Sequence, residues 1–143
     1  MYFMSILLIQ GPHRDAPAIA AAQRLAASHA AHVVPVACAD AAQIVARLQQ
    51  GAHDETELVL LDSGELPAAD LADHAPQLRA ALDALGHPYI EVHDASAQAL
   101  EPLLQPHHAP LLTVIANGAL ADSYAIALGV AERRLGARAA LAG

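Results

Sequence analysis

The chain has no lysine, no tryptophan and only one cysteine, Cys38. Without lysine no Schiff base can form on the protein, which removes one route of covalent catalysis. One cysteine forbids an internal disulfide and any four-cysteine zinc site, and fits a cytoplasmic protein in a reducing compartment. Cys38 has no cationic sequence neighbour to activate its thiol and reads as a small buried residue. All seven cations are arginines, with no basic run, in a chain of net charge −8. Phosphate backbones need clustered cations, so nucleic acid is not an expected partner. No apolar run reaches the roughly 20 residues of a membrane span, and the start lacks a secretory pattern, so no membrane partner is expected either. A Gly-x-Gly-x-x-Gly fingerprint is missing, as is a hydroxyl-rich phosphate loop after the first apolar run, so no nucleotide, flavin or other cofactor is expected. Aromatics make up only 3% of the residues. The core must therefore be built from Leu, Ile and Val beside alanine-rich helices.

What remains is enough for one domain over residues 1–143. Ser5-Ile-Leu-Leu-Ile-Gln10 is a continuous apolar run closed by Gly11-Pro12, the pattern of a strand buried on both faces. Pro17 opens a helix carrying Ile19, Ala22, Leu25 and Ala26 at helical spacing through Ala31. His32-Val-Val-Pro-Val-Ala37 is a second strand, and Pro35 places it at a sheet edge, where a missing N–H is tolerated. Asp40 caps a helix with Ile44, Val45 and Leu48 inward, ended by Gly51. Leu58-Val-Leu-Leu61 is a third strand, followed by the loop Asp62-Ser-Gly64.

The stretch from Glu65 to Pro76 fits either a short helix or a flap, and Pro76 is expected to open the next helix, with Leu78, Leu82 and Leu85 inward before Gly86. Pro88-Tyr-Ile-Glu-Val-His93 is a fourth strand. Three prolines prevent a long helix between Ala95 and His108. Leu111 to Ile115 is a fifth strand, and Asn117-Gly118 turns into a closing helix with Leu120, Tyr124, Leu128, Ala131 and Leu135 on one face. Strands alternating with helices predict a parallel α/β sheet of flavodoxin-like order 2-1-3-4-5 with helices on both faces.

Ligands of such sheets bind beyond the carboxyl ends of the strands. Those ends are Gly11 to Arg14, Asp62 to Gly64, His93 to Ser96, and Asn117-Gly118. Glu91 and His93 share one face of the fourth strand, a carboxylate beside an imidazole, which is a pairing suited to proton transfer. The plainer alternative is a strand-end histidine satisfied by a backbone carbonyl. Asp62 occupies the position of a receiver phosphoacceptor, but the acidic pair and lysine of such receivers are missing. His107 and His108 are adjacent and point apart, with no His-x-x-x-His spacing, so a solvated loop is expected rather than a metal site.

Ile6-Leu-Leu-Ile-Gln-Gly-Pro-His13, Pro88-Tyr-Ile-Glu-Val-His93 and Glu101-Pro102 together resemble the type II dehydroquinases, small flavodoxin-like 3-dehydroquinate dehydratases of the shikimate and quinate pathways. The resemblance extends through Tyr124 and the final helix. It implies a trimer-based homo-oligomer, up to a dodecamer, and a lyase reaction through an enolate. It also implies that His93 is the general acid, that Glu91 orients it, and that the turn Asp94, Ala95, Ser96 holds a substrate carboxylate.

The departures lie in the other loops. The family's long lid, with its tyrosine base and arginine, is reduced to His13-Arg-Asp-Ala-Pro17, which leaves Arg14 as the one cation there. The Asn-Gly-Pro-Asn turn has become Gln10, Gly11, Pro12, His13. The Asn-Pro-Gly turn has become Asp62, Ser63, Gly64. The His-Thr-Ser segment falls on Ala72 to Ala75, with His74 a shifted substitute, and Leu104 stands in place of a substrate-binding arginine. The expectation is a dehydroquinase-like protein inactive or altered as a dehydratase, taking a small anionic or polyhydroxy ligand at the strand ends. The alternatives are an active dehydratase with His13 or His74 as base, and an assembly protein without ligand.

Overall fold

The computed structural model of the protein describes residues 5–27, 32–51 and 56–142. Five parallel strands, β1 (Ser5–Gln10), β2 (His32–Ala37), β3 (Leu58–Asp62), β4 (Tyr89–His93) and β5 (Thr113–Ile115), form one sheet in the order β2-β1-β3-β4-β5. This is the flavodoxin-like arrangement expected from the sequence. Helices α1 (Ala16–Ala27), α2 (Ala41–Gly51), α3 (Ala68–Ala84), α4 (Glu101–Leu104) and α5 (Leu120–Ala142) connect and follow the strands. The expected end of the first helix at Ala31 lies outside the described residues, as does Tyr2.

The apolar runs of the central strands feed two cores, because successive side chains point to opposite faces. Ile6, Leu8, Leu58, Leu60, Ile90, Val92 and Val114 meet Ala22 and Ala26 of α1 and Tyr124, Ala127, Leu128, Ala131 and Leu135 of α5. Leu7, Ile9, Val59, Leu61 and Tyr89 meet Ile44, Val45 and Leu48 of α2 and Leu78, Ala81 and Leu82 of α3. Each buried Leu or Ile contributes roughly 1.5–3 kcal/mol by leaving water. The alanines of α1 and α5 let those helices lie close to the sheet. Pro35 does sit on the edge strand, in register with Leu8. Asp40 caps α2 through its Oδ1, which accepts the Gln43 N–H at 2.9 Å.

Two boundaries differ from expectation. Pro76 does not open a helix; it lies inside α3, which begins at Ala68. Leu71 and Ala75, upstream of the proline, pack against the second core, and that burial holds the first turns in helical form. Pro76 and Ala72 are both exposed, so the carbonyl that loses its helical partner has access to water. The segment after Glu65 is therefore mostly helix. The fifth strand is shorter than its apolar run, Thr113–Ile115, and Leu111 is exposed although its N–H donates to the Tyr89 carbonyl.

Candidate functional site

Strand alternation sorts the polar groups at the strand exits onto two sides. Tyr89, Glu91 and His93 share the face toward α2 and α3, whereas Asp62 continues the Leu58 and Leu60 face toward α1 and α5. Two polar centres result.

The first is Glu91 with His93, both with 0% of the side chain exposed. His93 Nε2 lies 2.7 Å from Glu91 Oε1. The same oxygen accepts the Leu100 N–H at 2.7 Å, and Oε2 accepts the Glu101 N–H at 2.9 Å. A carboxylate holding three donors is itself fixed, and a carboxylate can only accept, so the Nε2 side of the ring carries the proton. That assignment leaves Nδ1 of the neutral imidazole as an acceptor, and Ser63 Oγ stands 3.4 Å from it. Ser63 Oγ also donates to the Gln98 carbonyl at 2.9 Å. The His93 carbonyl is satisfied separately, by the Ser123 hydroxyl at 2.7 Å.

The second centre is Asp62, fully buried. Its Oδ2 accepts the Tyr124 hydroxyl at 2.6 Å and faces His13 Nε2 at 2.7 Å, while Oδ1 accepts the Gly64 N–H at 2.9 Å. Gln10 Nε2 donates to the Tyr124 oxygen at 3.0 Å, which extends the chain of bonds toward Gln23. Burial of the His13 ring opposes its charged form, but the hydrogen bond and negative charge of Asp62, helped by Asp94 and Glu65, outweigh it and raise the His13 pKa above 6.5. Burial, together with the Asp62 charge, pushes the Tyr124 hydroxyl up. Tyr124 is thus a neutral donor here.

A raised histidine pKa carries a sign. A group whose folded pKa exceeds its unfolded value stabilises fully below the unfolded pKa and loses that contribution as pH rises through the folded one. The stability difference between the wild type and His13→Gln is expected to be largest below pH 6.5 and to shrink at higher pH. Melting temperatures of both proteins across that window check it; a difference that grows with pH would refute the His13–Asp62 pairing.

The β1 and β3 exits are interlocked through their backbones. The Gly11 N–H donates to the Asp62 carbonyl at 2.6 Å, and the Glu65 N–H donates to the Pro12 carbonyl at 2.6 Å. Gly64 adopts a left-handed φ of 64°, which favours glycine. The Arg14 backbone N–H donates to the Glu65 carboxylate. A cavity of about 380 Å³ is lined by Arg14, Ser63 to Pro67, Leu71, Ala95, Ala97 and Gln98. The Glu65 to Leu71 segment forms one wall of this cavity and does not fill it.

The structure brings together most of the residues expected at the site but gives them different places. Arg14, Gly64 and Ala95 line the cavity. Gly11, Pro12, His13 and Asp62 belong to the interlocked β1 and β3 exits and are not part of its lining, with His13 committed to Asp62. Asp94 is half-buried, its Oδ1 without a hydrogen-bond partner among the described residues, and Ser96 is exposed at the start of a 3-10 turn, Ser96–Gln98. His74 lies within α3, one turn from Asp70, whose carboxylate it meets at 3.1 Å. His107 is exposed, and His108 Nε2 faces the His87 carbonyl at 2.9 Å. Among the described residues no group of three or more His, Cys, Asp or Glu is placed to hold a metal ion. Sequence reasoning placed Ser63 in the Asp62 to Gly64 strand exit without a role of its own, and it missed Gln98. Alternation continued one residue past β3 would have put Ser63 on the His93 side.

No protein-family model and no curated protein matches the chain. Solved structures do. A type II dehydroquinase from Butyrivibrio crossotus DSM 2876 is similar with a TM-score of 0.64 and 17% identity, over 91% of this chain and 98% of that one. The fold is that of a type II dehydroquinase. A 3-dehydroquinate dehydratase-like protein from Bifidobacterium longum aligns with a TM-score of 0.59 and 18% identity, over 93% of this chain and 98% of that one. The phosphorylated cyanobacterial phytochrome response regulator RcpA also aligns, with a TM-score of 0.56 and 15% identity, over 92% of this chain and 93% of that one. One architecture thus carries unrelated activities, and the chemistry must be argued from the site. No helix among the described residues is long and apolar enough to cross a membrane.

Proposed function

We propose that this protein is a divergent relative of the type II dehydroquinases that binds a small anionic or polyhydroxy ligand in the cavity at the strand exits and has lost the dehydratase reaction. The reading rests on one observation: the β1–α1 connection runs from Gly11 directly into α1 at Ala16, bonded to the β3 exit, with no room for a lid carrying a base. Neither tyrosine among the described residues replaces that base. Tyr124 donates to Asp62, and Tyr89 donates to the His108 carbonyl at 2.9 Å. His13 is held by Asp62 with a raised pKa, and His74 is turned to Asp70, so neither is poised as a substitute.

Losing a positioned base costs about 10²–10⁴ in rate. The retained Glu91 and His93 lie buried behind Ser63, which lines the cavity, and Arg14 and Gln98 would meet the polar groups of the ligand. The same kinship supports a trimer-based homo-oligomer in the cytoplasm.

Two measurements test the proposal. Absorbance of 3-dehydroshikimate should stay at the buffer level when dehydroquinate is mixed with concentrated protein; brisk turnover would refute the loss of activity. Quinate, shikimate or citrate should raise the melting temperature of the wild type, since ligand at 100 times its Kd stabilises by about 2.7 kcal/mol. If none of the three shifts the wild type, the binding proposal fails.

A further inference from the structure

Among the described residues, Ser63 is the one hydroxyl that touches both the buried dyad and the cavity. Its Oγ is 3.4 Å from His93 Nδ1, the ring's Nε2 is 2.7 Å from Glu91, and Ser63 lines the 380 Å³ space. Nucleophile, base and orienting carboxylate therefore lie in series, the order that activates a serine wherever it recurs on unrelated folds. The last link is open because the Ser63 hydroxyl donates to the Gln98 carbonyl at 2.9 Å, so a χ1 rotation that turns it from that carbonyl to Nδ1 must precede the transfer. The dehydratase reaction has no use for a serine here, and the matching turn of the dehydroquinases carries proline.

We propose that Ser63 is a catalytic nucleophile, with His93 as its general base and Glu91 as a positioning residue, and that the cavity accepts small esters as acyl donors. Ser63 Oγ bonds to the ester carbonyl carbon while its proton passes to His93 Nδ1. The tetrahedral adduct collapses with cleavage of the bond to the leaving oxygen, which takes that proton and departs as the alcohol. Water then attacks the acyl-serine, delivers a proton to Nδ1, and releases the carboxylic acid as Ser63 recovers its own. No redox partner enters.

Glu91 contributes by holding Nε2–H, which keeps Nδ1 free to accept. Gln98 lines the same cavity, and its side-chain oxygen is engaged by the Asp94 N–H at 3.4 Å, which leaves its NH₂ as a donor for the developing oxyanion. The cavity volume suits a short acyl group.

This inference needs the cavity of the preceding proposal, and the experiment separates the two. The full chain is incubated with 4-nitrophenyl acetate, and the acetyl group is located by peptide mass spectrometry; the rate alone does not serve, because exposed histidines hydrolyse this ester unaided. One acetyl group is expected on Ser63. It should be absent from Ser63→Ala, whose fold is verified by circular dichroism, and should form about 10²-fold more slowly in His93→Ala. In Glu91→Gln the rate should fall, with its dependence on pH altered, because a carboxamide can donate to the ring and reverse the tautomer. Should His93→Ala not fold, labelling of the wild type by an alkyl fluorophosphonate decides, with Ser63 the expected adduct. Acetyl or phosphonate found elsewhere, or on no residue, overturns the inference. If quinate or citrate still stabilises that protein, the binding proposal survives; if nothing binds, both fall.

Discussion

Asp62→Ala is expected to lower the melting temperature by roughly 10 °C or more. The carboxylate is fully buried and holds three donors: the Tyr124 hydroxyl, the His13 ring and the Gly64 N–H. Removing one partner of a buried ionic pair costs about 3–5 kcal/mol, because the other is left uncompensated. A buried hydroxyl without an acceptor adds about 1–3 kcal/mol, and the two overlap because they share one network. For a chain of this length each kcal/mol is worth roughly 2–4 °C. Asp62→Asn keeps the shape and one acceptor oxygen, so it should fall between the mutant and the wild type. Thermal unfolding followed by circular dichroism measures both. A loss below about 3 °C in Asp62→Ala would show that Asp62 does not organise this end of the sheet.

That network also marks the boundary of what the linear sequence discloses. The sheet order was legible because each of its cues is local: the continuous apolar run of β1, the proline that consigns β2 to an edge, and turns after every strand. The Glu91–His93 contact was legible for the same reason, since residues two apart on a strand share a face. Tyr124 was legible only as a core-facing residue of α5. Its hydroxyl meets Asp62 across 62 positions, and His13 meets the same carboxylate across 49, and no periodicity encodes such pairings. Pro76 failed in the opposite way. A proline is a strong local signal for a helix start, but burial of Leu71 and Ala75 overrode it from outside the local window. Ser63 looked like a turn residue between Asp62 and Gly64. Only the closing of the Ser96–Gln98 turn over it, through the Gln98 carbonyl, reveals that its hydroxyl lies between an imidazole and a cavity.

Gly11→Ala and Gly129→Ala should move stability in opposite directions, although each adds the same single methyl group. A Cβ on Gly11 would fall far inside 3.0 Å of the Ser63 carbonyl oxygen and only 3.1 Å from that of Asp62. Both atoms are backbone, held in place by the Gly11 N–H bond to the Asp62 carbonyl and the Glu65 N–H bond to Pro12, so no side chain can swing aside. Relief requires the β1 and β3 exits to part, and overpacking of that kind costs typically 1–3 kcal/mol, here at or above the upper end. A Cβ on Gly129 meets nothing within 4 Å, and the residue sits inside α5, where alanine is favoured over glycine by roughly 0.5–1 kcal/mol. Denaturant midpoints should therefore fall sharply in the first variant and rise slightly in the second. Because Ser63 rides on the same peptide that Gly11 contacts, Gly11→Ala should also abolish acetylation of Ser63 in whatever fraction remains folded, whereas Gly129→Ala should leave it intact. Equal and mild effects from the two variants would mean that the β1 and β3 loops are not interlocked, and the position of Ser63 beside His93 would lose its structural basis.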